Sequence, residues 1–223
     1  MTRGMLIIGN ESPLFSAVEE ETIKRVEQYA AAVIPGPNAA ADTQKKGRET
    51  LSWNPSSPLS SRTLILGAEN RLGRIDEALL VCSPPAFYRS PETLSPADAD
   101  KYINDQVKSW IFVARDLALI FKAQGDGSVC FIFPDDSYPN EKSIAGSDAN
   151  ANLLGSSASA SFRALAQGYI ASSGSSPYRI MGFTGCNPGS EKEFAAWLFK
   201  LMDDGGKKNN NRLHKYSKLP FFK

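Results

Sequence analysis

Short apolar runs alternate along the chain with stretches whose apolar residues recur at helical spacing, the pattern of βαβ units around a parallel sheet. Met5 to Ile8 predicts a short buried first strand. From Ser12 the pattern turns helical, with Ser12 as cap, Pro13 in the first turn and acidic Glu19 to Glu21 following. Ala30 to Ile34 predicts a second strand, stopped by Pro35, Gly36 and Pro37. The polar stretch from Asn38 to Glu49 fits either a short helix or a loop. Leu79 to Cys82 is another strand, and a polar, proline-containing run follows from Pro84 to Pro96. A long helix is expected over about Pro96 to Ala123, because Ile103, Val107, Trp110, Ile111, Ala114, Leu117 and Ile120 mark one buried face. After the Gly125, Asp126, Gly127 turn, SVCFIF predicts a further strand. Ser190 to Met202 reads as an amphipathic helix capped by Ser190, with Glu193 three residues on. The tail KYSKLPFF fits a last edge strand, and residues 204–223 as a whole fit a flexible basic tail.

Composition narrows the picture. A chain of 223 residues is long enough to bury a sizeable core and suits one α/β domain. Its 25 basic and 24 acidic side chains nearly cancel, so no global field favours nucleic acid or an anionic membrane as partner. Cys82, Cys130 and Cys186 lie far apart in apolar or strand-end settings, which suits reduced thiols in a cytoplasm. His214 is the single histidine, so no histidine-rich metal site is expected. No apolar run approaches the roughly 20 residues needed to span a bilayer. MLII, running straight into Gly9 and Asn10, is too short for a signal peptide.

The run LGRIDEALLVCSPP, residues 72–85, is similar to the fourth-strand signature of the short-chain dehydrogenases/reductases, roughly GxIDxLVxNAG, with Cys82, Ser83, Pro84 and Pro85 at its functional end. LSWNPSSPLSSRTLILGAENRLGRID resembles that family's third strand, acidic turn and following helix, with Asn54 at the place of the aspartate that contacts adenine. INDQVKSWIFVARDLALIF resembles its next helix, with Asn104 on the asparagine that bends the helix and assists a proton-relay water. SASASFRALAQGYIASS resembles the helix that carries the catalytic tyrosine and lysine, and YRIMGFTG the sixth strand. The resemblance covers most of the chain, resting on element order and spacing more than on motif identity. It implies a single Rossmann-like, doubly wound, mostly parallel sheet flanked by helices, NAD or NADP as cofactor, and a dimer or tetramer. Trp110 and Phe112, on faces that cannot all be buried in one monomer, point to such an oligomer as well.

The family's chemical residues fare differently from its scaffold. Its cofactor loop, TGxxxGxG, lets the backbone approach a pyrophosphate. Here the stretch is GNESPLFS: Gly9 remains, Pro13 lacks an amide hydrogen, and Leu14 and Phe15 are bulky. Either Asn10, Ser12 and the helix amino terminus hold a phosphate, or this is an ordinary strand-to-helix turn. Catalysis in the family uses a tyrosine acid and a lysine four residues later. One register puts Ser159 and Arg163 there, and a shift of one puts Ala158 and Phe162. A serine is too weak an acid to replace a phenol, and arginine does not release its proton near neutral pH. Ser137, Tyr138 and Lys142 hold a YxxxK spacing after the SVCFIF strand, readable as a relocated acid pair or as a surface loop. Asp135 and Asp136, and Cys82 with Ser83, end strands on the edge where open parallel sheets place ligands. GSDANANLLGSSASAS fits a lid or an insertion, and Lys207, Lys208, Arg212, Lys215 and Lys218 form a basic tail. Two functions follow: a non-catalytic relative acting through protein contact or a small ligand, or a divergent NAD(P)-dependent oxidoreductase of a carbonyl or alcohol.

Overall fold

A computed structural model of the chain describes residues 3–34, 50–87, 91–135, 152–204 and 210–217. Six parallel strands form one sheet in the order β2-β1-β3-β4-β5-β6: β1 Gly4–Asn10, β2 Gln28–Ile34, β3 Glu77–Val81, β4 Ser128–Pro134, β5 Arg179–Cys186 and β6 Arg212–Lys215. The central strands are buried on both faces, which is why they read as unbroken apolar runs rather than alternating ones.

Side chains of alternate strand residues face two separate cores. Leu6, Ile8, Leu80 and Phe131 meet α2 (Pro58–Leu72), α4 (Ser109–Gln124) and α5 (Leu153–Ser172), whereas Met5, Ile7, Leu79 and Ile132 meet α1 (Pro13–Arg25) and α6 (Glu191–Asp203). The chain thus winds to one side from β1 to β2 and to the other from β3 onward, so the strand order reverses between β1 and β3. In open α/β sheets that reversal, at the carboxyl ends of the strands, is where a ligand crevice forms.

Several elements differ from expectation. No third strand follows the 35–49 stretch among the described residues; a single bridge, Ala31 with Thr50, stands in its place. The long helix is three pieces: α3 (Pro96–Ile103), a π-helical turn at Asn104–Lys108, and α4. The later part of the GSDANANLLGSSASAS run is helix, since α5 begins at Leu153. Ser190 does not cap α6 by the expected box; its hydroxyl turns back, accepting from the Asn187 amide at 3.0 Å and donating to its carbonyl at 2.8 Å. The edge strand lies at Arg212–Lys215, upstream of most of KYSKLPFF. Two members of the expected basic tail are therefore in the sheet, and Lys215 pairs with Asp135 at 3.1 Å. Trp110 is buried within the monomer, against Phe162 at 4.9 Å between ring centres. No described helix is long and apolar enough to cross a membrane.

Candidate functional site

The turn between β1 and α1 is built by its own side chains. Ser12 is extended, and its Oγ accepts from the Phe15 amide at 3.1 Å, so the hydroxyl caps α1. Pro13 supplies a fixed φ at the first helical position but no N–H. Leu14 and Phe15 are fully buried. The Phe15 ring lies so close over Gly9 that an added β-carbon would overlap it, and would sit 2.7 Å from the Val81 carbonyl. A pyrophosphate on a glycine turn needs bare backbone and free amides. Here the bare face of Gly9 is covered by a ring, one amide is missing and another is engaged, so the turn does not fit that group held in that way.

Beside it, Asn10 ends β1 with its side chain pointing inward, 2% exposed. Its Oδ1 accepts from the Ser83 amide at 3.0 Å, just beyond β3. Its Nδ2 donates to Gln106 Oε1 at 2.6 Å, on the π-helical turn. Gln106 is a functional-looking residue that the sequence reading passed over. A signal was present: it is four residues before Trp110, a polar side chain on the apolar face of the helix. Asn104 opens the same π-helical turn, half-buried, and its Oδ1 accepts from Lys108 Nζ at 2.8 Å. Cys82 is buried, and burial pushes its thiol well above the usual range, which leaves it protonated and non-nucleophilic.

Asn54 lies apart, exposed before α2. Its Oδ1 accepts from the Ser56 amide at 3.1 Å and its own amide donates to Ser60 Oγ at 2.7 Å, a local turn that positions the helix. Ser56 in turn donates to Asp105 Oδ1 at 2.6 Å, tying this loop to the π-helical turn.

At the carboxyl rim over β3 and β4, Tyr102, Leu154 and Ala158 form a small apolar cluster with Phe87, Leu94 and Val107. Tyr102 donates to the Pro85 carbonyl at 2.6 Å, and burial raises its pKa, so this phenol is a packing group and a poor acid. On α5, Ala158 and Phe162 face the core, fully or almost fully buried, whereas Ser159 and Arg163 lie on its half-buried flank. The Arg163 guanidinium sits over the Phe133 ring, 5.6 Å from its centre. Neither register therefore presents a phenol with an amine. Ser137, Tyr138, Lys142 and Asp136 lie outside the described residues.

The sequence matches no protein-family model and no curated protein. Solved structures do resemble the fold. A short chain dehydrogenase from Mycobacterium smegmatis superposes with a TM-score of 0.72 at 13% identity, over 98% of this chain and 93% of that one. An acetoin dehydrogenase from Salmonella typhimurium gives 0.71 at 14% identity, over 96% and 93%. A 3-ketoacyl-(acyl-carrier-protein) reductase from Brucella melitensis, complexed with NADH, gives 0.65 at 13% identity, over 88% and 90%. With six parallel strands in this order, two helical layers and these superpositions along nearly its whole length, the chain has the fold of the short-chain dehydrogenases/reductases.

Proposed function

We propose that the protein is a divergent relative of the short-chain dehydrogenases/reductases that has lost their redox chemistry and acts through contact with a protein partner or a small ligand, as a pair of identical chains. The observation that carries this reading is the Phe15 ring packed on Gly9, in the place where a dinucleotide fold leaves its backbone bare. The absence of a phenol and amine pair on the described face of α5 agrees with it.

Thermal unfolding with NAD, NADH, NADP and NADPH tests it. Ligand at 100 times its Kd adds about 2.7 kcal/mol, which for a chain of this size moves Tm by roughly 5–10 °C. The expected result is no shift at millimolar cofactor. A shift of that size, with hydride transfer to any carbonyl substrate, overturns the reading.

One observation favours the second reading, a divergent NAD(P)-dependent oxidoreductase. The helix is bent into a π-helical turn at Asn104, where active relatives carry their own bend. On that reading Ser137, Tyr138 and Lys142 supply the acid chemistry, and Tyr138→Phe would abolish turnover while leaving cofactor binding intact.

A further inference from the structure

The crevice position between β1 and β3 is spanned by one side chain that holds three separate segments. Asn10 at the end of β1 accepts from the Ser83 amide beyond β3 and donates to Gln106 on the turn between α3 and α4. Asn10 and Gln106 are each 2% exposed, so the bond between them is shielded from water, while the bond from half-buried Ser83 is partly so. The turn they hold departs from α-helical geometry: the Ser109 amide reaches back five residues to the Asn104 carbonyl. Such a turn has a wider, less regular ladder, and insertions of this kind sit at sites of special structure. A second bond lies within the turn itself, Ser109 Oγ donating to the Asp105 carbonyl at 2.6 Å.

We propose that Asn10, the Ser83 amide and Gln106 form a clasp that fixes the carboxyl ends of β1 and β3 and the π-helical turn to one another. In open sheets of this type the crevice at the order reversal receives a ligand, whose contacts join the same segments. Here the amide of Asn10 makes those connections from inside the protein. The two hydrogen bonds of this buried side chain also explain why an asparagine is placed where an apolar residue would pack: a buried amide without partners is costly, and this one has both a donor and its acceptor engaged. The inference deepens the proposed function, since a clasped crevice leaves recognition to other surfaces, but it rests on the geometry of Asn10 alone.

Amide hydrogen exchange on the full chain tests it. In Asn10→Ala, exchange at Ser83 and at Ser109 should rise tenfold or more, while Phe131 and Ile180 in the neighbouring strands stay unchanged. In Gln106→Ala the bond from Asn10 to Ser83 survives, so only Ser109 and its turn should loosen. Combining the two substitutions should add nothing at Ser109 beyond Asn10→Ala. Unchanged exchange at Ser83 and Ser109 overturns the proposal, as does a uniform rise across the sheet or additive effects at Ser109. Should Asn10→Ala not fold, the selective loosening in Gln106→Ala decides the matter by itself. Cofactor binding to the wild-type chain would overturn the proposed function without altering this exchange pattern, so the two can fail separately.

Discussion

Among single residues, Glu77 makes the most pointed energetic prediction. It opens β3 at the amino edge of the sheet, 1% exposed, in ion pairs with Arg3 and with Arg179, the latter at 3.3 Å. Burial opposes the charge of Arg3, but contacts with Glu77 and Asp203 outweigh it and raise the guanidinium's pKa. For Glu77 burial outweighs the attraction of Arg3 and Arg179, so its pKa is raised also, against the charged form. The two partners pull in opposite senses, and the carboxylate decides, because it is the member with almost no access to water. A folded-state pKa above the unfolded value means stability that is complete below the ordinary carboxylate range and lost as pH rises through the folded pKa. Glu77→Gln should therefore gain stability relative to wild type as pH rises from about 4 to about 8. Arg3 and Arg179 keep 36% and 30% side-chain exposure, so water can take over their solvation. Urea unfolding at several pH values measures this. A stability difference between the two that does not change with pH would mean that burial does not oppose the Glu77 charge.

The elements divide into those their own residues define and those that depend on distant contacts. The strands β1, β3 and β4 were legible because parallel strands covered on both faces are largely apolar, whereas β5, with Arg179 and Thr184 in it, was read from the resemblance of YRIMGFTG to the family's sixth strand. The start of α1 was legible because Ser12 and Pro13 carry the cap and the first turn between them. That local cause predicts a local cost: Ser12→Ala should lower stability by about 1 kcal/mol, a fall in Tm of roughly 2–4 °C. No loss of stability in thermal unfolding would show that the cap is not what starts the helix. Other features have no local signature. A buried Gln106 on an apolar stripe announces a partner, but only the closed sheet shows that the partner is Asn10. The third strand was expected in the segment that begins LSWNP, yet among the described residues one bridge at Thr50 is all that forms; Trp53 donates its ring N–H to the Val33 carbonyl at 3.3 Å. The capping box at Ser190 failed for a similar reason, because the nearer Asn187 backbone took both functions of the hydroxyl.

For the whole molecule, the open question of shape is whether two copies pair. Trp110 cannot drive such pairing, because α4 lies between α2 and α5 and buries a wider arc than a helix covered on one side. Phe112 is half-buried, with the Arg115 guanidinium 5.6 Å from its ring centre. What α4 leaves to solvent is Ile111, 47% exposed, and Leu119, 56% exposed, eight residues apart on one face with Arg115 between them. Two apolar side chains at that spacing follow a helix surface for just over two turns, enough to lie along the same face of a second copy. If the proposed pairing uses this face, light scattering at micromolar concentration should report about twice the 24.2 kDa of one chain. Replacing both residues, Ile111→Glu with Leu119→Glu, places like charges on both sides of the contact and should halve that mass. Because both side chains already face water in the monomer, the variant's melting temperature should change little apart from the loss of pairing. A wild-type mass of one chain refutes the pairing, and a doubled mass that persists in the variant moves the contact to another face.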